Sequence, residues 1–247
     1  MAHYANDTEL QKPERAILDA LGGRLGTLRM LDVGMGAGRL TAHFAPRVKD
    51  YRGIDLSPDM VDSCRKRFAG RIAPEPFAVR DMRGLDAFAA GSFDFVLNSY
   101  NTIDHLSSRE RKHFLEQARR ITAPGGWLCF SAHNLRAVAD NLAIADWGAL
   151  WRHPRNALLR LRLRAMFLAL NRDALRRAAD ADHVIVRNGT HGDFGVRIYY
   201  VRPEAQVRAL RETGFACVRV FSLDTGAELE PRELGSCRDR WLYYLCS

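Results

Sequence analysis

Long apolar runs are missing from this chain of 247 residues. With no stretch of about 18 uninterrupted apolar residues, a membrane-spanning helix is not expected. Met1 to Asp7 lack a basic segment followed by an apolar run, so no export signal is read there. Cysteine is sparse: Cys64, Cys129, Cys217, Cys237 and Cys246 are odd in number and scattered, and no two form a Cys-x-x-Cys pair. That pattern argues against a disulfide framework, a zinc site or dithiol chemistry, and for reduced thiols. Repeats, low-complexity tracts and long linkers are also absent. These absences point to a protein of the cytoplasm. With 47% hydrophobic residues, the chain can bury one substantial core as a single domain, 1–247.

Acidic residues are in deficit, giving a formal charge of +8. A basic surface invites a nucleic-acid reading, but the excess is local. Residues 151–180 hold eight arginines (152, 155, 160, 162, 164, 172, 176 and 177) against Asp173 and Asp180. A lid helix with a solvated basic side, a contact for an anionic substrate or RNA, and a membrane-surface helix all fit that segment.

What is present is alternation. Helical spacing over Thr8 to Leu21 precedes a short apolar strand, Leu28 to Val33, which runs into Gly34-Met35-Gly36-Ala37-Gly38. A helix from about Arg39 to Val48 should follow. Strands are predicted at Tyr51–Asp55, Pro76–Arg80, Phe93–Asn98 and Trp127–Ala132, with helices at Pro58–Phe68 and Ser108–Ile121 and a turn at Pro124-Gly125-Gly126. Residues 134–201 break the pattern, with strand-like runs at His183–Val186 and Val196–Val201. A helix Pro203–Glu212 and strands Phe215–Ser222 and Trp241–Cys246 close the chain. The expected fold is α/β: a doubly wound, mostly parallel, Rossmann-like sheet of seven strands. It has an antiparallel terminal strand and a lid inserted between strands five and six.

Three glycines where a strand turns into a helix allow positive φ angles and bring bare backbone against a ligand. Asp55 ends the second strand, where a carboxylate can accept both hydrogens of a ribose diol, which fits an adenosine. A dinucleotide dehydrogenase uses a related loop and is the nearest rival.

In motif order, the stretch from Met30 to Ala132 resembles the class I S-adenosylmethionine-dependent methyltransferases of small-molecule type. Leu31 to Gly38 is similar to their glycine motif, Asp55 to the ribose acid and Asp81-Met82 to the adenine contact. Ser92 to Leu97 resembles the fourth-strand motif, and Ala123 to Gly126 the turn before the fifth strand. The Pro-Gly-Gly turn and terminal strand pair favour this family over a dehydrogenase. Met35 departs from the Cys or Ser common at its place. The resemblance implies that Asp32, Gly34, Gly36 and Gly38 hold the methionine part, that Asp81 and Met82 meet the adenine, and that Asn98 lies under the sulfonium. Leu56, Met60 and Tyr100 join these cofactor contacts. Tyr4 and Arg15 would close over the cofactor, Arg15 either clamping its carboxylate or staying solvated.

For the acceptor side, candidates are Tyr100 and His105 after strand four, His133 after strand five, and His191 with Tyr199 or Tyr200 in the insertion. Each histidine is either a base or a structural side chain. Asp104 reads equally as a site residue or a helix cap, and Asn101 as a turn residue. Asn98-Ser99-Tyr100-Asn101 departs from the motif of nucleic-acid amino-methyltransferases. No Pro-Cys supports attack on a pyrimidine, and the missing acids after strands four and five argue against a metal. The sequence therefore predicts methyl transfer to an O or N atom of a small, acidic metabolite by a monomer or homodimer, with nucleic acid disfavoured. The alternatives are an RNA methyltransferase using the arginine-rich segment and a non-catalytic cofactor-binding regulator.

Overall fold

The computed structural model of the chain describes residues 9–72, 76–138, 154–188 and 194–247, the side chains of 154–160 excepted. Tyr4 and His191 lie outside the described residues.

The sheet grows from β1 (Arg29–Val33), β2 (Asp50–Asp55), β3 (Phe77–Val79), β4 (Phe93–Asn98) and β5 (Thr122–Asn134). It closes with β8 (Val218–Ser222), β9 (Glu228–Leu229) and β10 (Trp241–Cys246), in the order β3-β2-β1-β4-β5-β10-β8-β9. The first five strands are parallel, and β10 runs antiparallel to both β5 and β8. Seven of these strands make the expected path with an antiparallel member, and the two-residue β9 adds an eighth at the edge. Helices α1 (Lys12–Leu21), α2 (Thr41–Phe44), α3 (Pro58–Phe68) and α4 (Ser108–Ile121) cover its two faces.

Period-two alternation makes both faces apolar. Leu31, Val33, Phe130 and Tyr244 pack into one buried cluster, whereas Met30, Phe95, Cys129, Tyr243 and Leu245 pack into the other. Burying each such large side chain contributes about 1.5–3 kcal/mol. Local chemistry fixes the helix starts: Ser57 accepts from the Met60 N–H ahead of Pro58, and Ser107 and Glu110 cap each other at α4.

Two elements differ from the sequence expectation. The helix foreseen over Arg39 to Val48 is cut to α2, because Pro46 has no N–H to continue the ladder. The Pro-Gly-Gly turn lies inside β5: Phe93 pairs with Thr122 but Phe95 with Trp127, so residues 123–126 loop out between those two pairs.

The insertion supplies α5 (Pro154–Leu170), α6 (Arg172–Arg177), β6 (His183–Asn188) and β7 (Val196–Val201), after which α7 (Pro203–Glu212) returns to the sheet. The β6–β7 hairpin does not stand free: Tyr200 and Val201 pair in parallel with His133 and Asn134 of β5, bringing the sheet to ten strands. Nor is α5 a helix with its apolar side packed down. Phe167 packs against the core, but Leu161, Met166, Leu168 and Leu170 are exposed. Among the described residues, no helix is long and apolar enough to cross a membrane.

Candidate active site

A cavity of about 380 Å³ opens at the carboxyl ends of β1, β2 and β4, lined by Asp32, Gly34, Gly36, Asp55, Met60 and Tyr100 among others. Such crevices are where open α/β sheets bind ligands. Gly36, at φ +58, has nothing within 4 Å of where a side chain would begin, so its backbone faces open space. Gly38 needs its residue type for another reason: at φ +81, a Cβ would stand 2.5 Å from the Phe68 ring of α3.

Asp55 is tied to this loop. Its Oδ2 accepts from the Gly36 N–H at 2.9 Å and its Oδ1 from the Ser57 N–H at 2.9 Å. Each oxygen keeps a lone pair, the arrangement needed to receive a diol. Asp32 is 2% exposed and accepts from the Tyr51 hydroxyl at 2.8 Å. Burial pushes its carboxyl up to about 7, only partly countered by that hydroxyl. A buried acid at the floor of an open cavity, with no cation bonded to it, suits a ligand that brings its own ammonium.

Arg39 and Ser99 also line the cavity, and buried Glu14 organises both. Its carboxylate accepts from Arg39 through two bonds of 2.6 Å, from Ser99 Oγ at 2.6 Å and from the Tyr243 hydroxyl at 2.6 Å. Burial alone would raise this carboxyl, but the guanidinium and hydroxyls outweigh it and hold Glu14 below its usual value. Sequence reading missed Glu14 and Arg39; the one signal was an acid in the first turn of an otherwise apolar-faced helix.

Other candidates lie off the cavity lining. Arg15 is exposed on α1, and Arg39 is the arginine at the wall. Leu56 is 65% exposed. Asp81 is engaged by Arg83 through bonds as short as 2.5 Å, and Met82 packs against the core. Asn98 is fully buried, its amide donating to the Val33 carbonyl at 2.8 Å and its Oδ1 left without a partner.

From the cavity wall a row of rings leads to the end of β5. Tyr100, on the cavity wall and strained at φ 59, lies 6.2 Å from the Trp241 ring, which is 5.9 Å from His133. His133 stands in register between Trp241 of β10 and Tyr200 of β7. Its Nδ1 and its backbone N–H both meet Asp104 Oδ2 at 2.7 Å. Asp104 is held from behind by Arg111 at 2.5 Å, which donates to Gln206 at 2.7 Å. Asp104 is thus more than a cap: with Nδ1 committed to a carboxylate, the lone pair of His133 falls on Nε2. Arg111 was legible only as one charge on an amphipathic helix. His105 is exposed beside this pair. Tyr199 stacks on His183 and beneath Arg111, lining a different cavity between α4 and α7. Among the described residues, no three His, Cys, Asp or Glu side chains form a metal-binding group.

Comparison with known proteins agrees with this geometry. Residues 30–126 match a family model described as a methyltransferase domain. The ubiquinone biosynthesis O-methyltransferase of Xanthomonas oryzae is 30% identical over 140 residues, covering 54% of this chain and 57% of that protein. The chain spans no more than 57% of the length of the first curated relatives it matches. A solved S-adenosylmethionine-dependent methyltransferase from Clostridium acetobutylicum superposes with a TM-score of 0.65 at 16% identity, over 100% of this chain and 96% of that one. The 1,6-didemethyltoxoflavin-N1-methyltransferase of Burkholderia thailandensis, solved with its substrate and S-adenosylhomocysteine, gives 0.57 at 13% identity, over 99% and 80%. Residues 30–126 therefore carry a methyltransferase domain, on a chain with the fold of S-adenosylmethionine-dependent methyltransferases.

Proposed function

We propose that this protein, read as one cytoplasmic domain over 1–247 with an insertion at 134–201, transfers the methyl group of S-adenosylmethionine to an O or N atom of a small anionic molecule. The observation that carries this reading is the single cavity in which Asp55, fixed by the Gly36 and Ser57 N–H groups, faces the same space as buried Asp32. In that space Asp55 would grip the ribose hydroxyls, the Gly34 to Gly36 backbone would lie along the methionine part, and Asp32 would pair with its ammonium. The O- and N-methyltransferases among the similar proteins support a small-molecule acceptor.

Bound S-adenosylmethionine supplies an electrophilic methyl carbon on a sulfonium. The chain's own work is to align the acceptor in line with it and to exclude water. His133 Nε2 would take the proton of a hydroxyl or ammonium acceptor, with Asp104 holding the ring and its tautomer and Arg111 holding Asp104. Tyr100, Trp241 and Tyr200 would line the approach. Titration calorimetry of the purified protein with S-adenosylmethionine and S-adenosylhomocysteine tests the binding half, and transfer of labelled methyl to small-molecule pools tests the rest. Absence of binding, or methyl transfer to RNA but to no small molecule, overturns the proposal.

A further inference from the structure

A second cavity, of about 540 Å³, is lined by residues that follow the end of β5 and shares no lining residue with the first. Arg136, Arg164, Arg202 and Arg238 line it with no acid among the described lining residues, over apolar side chains that include Leu135 and Leu168. Its volume falls within the roughly 300–1,000 Å³ typical of small-molecule sites.

Of the four guanidinium groups, only Arg136 is paired with a carboxylate among the described residues, through two bonds to Glu204 at 2.8 and 2.9 Å. Arg202 donates to the main-chain carbonyls of Ala178 and Ala181 at 3.1 and 2.8 Å, and Arg238 to that of Arg136 at 3.0 Å. These bonds orient the guanidinium groups and leave their charge unneutralised. Arg164 reaches the same cavity from α5. Unneutralised guanidinium groups over an apolar floor select a carboxylate or phosphate joined to an apolar body, since neither half alone satisfies both surfaces.

The apolar half extends outward. Leu168 lines the cavity at 43% exposure, and Leu161, two turns earlier on the same face of the helix, is 49% exposed.

We infer that this cavity binds an anionic amphiphile, a carboxylate or phosphate monoester on an apolar chain or ring, and that this molecule is the methyl acceptor. Leu135 follows His133 by two residues through extended Asn134, so the cavity wall begins within about 7 Å of the proposed base along the chain. The acceptor role rests on the methyl transfer proposed above; the binding itself does not.

The test uses the full chain saturated with S-adenosylhomocysteine, titrated calorimetrically with octyl phosphate, octanoate, inorganic phosphate and neutral octyl glucoside. The expected result is one site per chain for octyl phosphate or octanoate, with inorganic phosphate and octyl glucoside weaker by about tenfold or more. R164E/R238E should weaken the anionic amphiphile by about tenfold or more and leave S-adenosylhomocysteine affinity unchanged, which also shows that the variant is folded. Equal binding of inorganic phosphate or octyl glucoside, or no effect of R164E/R238E, overturns the inference. So does binding confined to phosphatidylglycerol vesicles or to a single-stranded RNA oligonucleotide. Loss of S-adenosylhomocysteine binding in the parent chain would defeat the methyl-transfer reading alone. Octyl phosphate bound but not competitive with the methyl acceptor would defeat the acceptor role alone.

Discussion

The proposed cofactor wall and the proposed acceptor wall of the site are made in different ways. The first is local: the bond from Gly36 to Asp55 spans 19 residues, and one strand, turn and strand supply most of its chemistry. The second is assembled at long range, from Asp104 and Arg111 on one side of the sheet, His133 on β5, Tyr200 on β7 and Trp241 on β10. Glu14 joins the two, since its link through the Tyr243 hydroxyl spans 229 residues while it grips Arg39 and Ser99 on the cavity wall. A locally built wall tolerates change elsewhere in the chain. A wall built from five elements depends on each of them keeping its register.

The sharpest test of that division is D55A. Losing two charge-assisted hydrogen bonds of about 1.5–3 kcal/mol each should weaken S-adenosylmethionine binding by about 10²–10⁴-fold. Calorimetry should show this with the melting temperature of the ligand-free protein little changed; equal affinity would break the local account. E14A should cost about 3–5 kcal/mol in denaturant unfolding, because it removes the buried carboxylate shared by Arg39, Ser99 and Tyr243. A change below about 1 kcal/mol would mean that the two walls are held together by something else.

His133→Gln should lower kcat by about 10²-fold with cofactor affinity intact, and Asp104→Asn should act in the same direction by releasing the tautomer. Loss of cofactor binding in either variant would erase the separation between walls.

The smallest effect concerns Asp32, whose carboxyl burial pushes up to about 7 in the ligand-free protein. An ammonium ligand requires the carboxylate, so binding should release a proton below pH 7. Affinity should then rise about tenfold per pH unit up to pH 7 and level off above it. Calorimetry in buffers of different ionisation enthalpy reads that proton directly. The same shift acts oppositely on the ligand-free fold. A carboxyl raised above its unfolded value of 3.8 adds stability that is complete below pH 4 and is lost as pH rises to 7, so the D32N variant should flatten that slope.

How much could be read beforehand follows the same line. The glycine loop, Asp55 and the order of strands were legible because a turn between strand and helix needs glycine and a strand end needs only its own neighbours. Met60 and Tyr100 were placed at the cavity for the same reason. Arg15 stayed open between a carboxylate clamp and a solvated helix residue, since spacing alone does not say which arginine near the loop is buried. Tyr199 was read as facing the substrate, whereas its parity in β7 places it opposite Tyr200, on the face with Arg111. Asp104 stayed open between a site residue and a cap because its partner, 29 positions on, belongs to a distant strand.

Taken alone, the amino-acid order determined the alternation of strands and helices, the bare-backbone loop and the acid that answers it, all set by φ preferences and period-two or helical spacing over short distances. Only the tertiary structure decided which histidine is held by a carboxylate, which arginine reaches the cavity and which arginines share a pocket. Those outcomes depend on sheet order and on burial, and a charge changes its meaning when distant chain segments strip away its water.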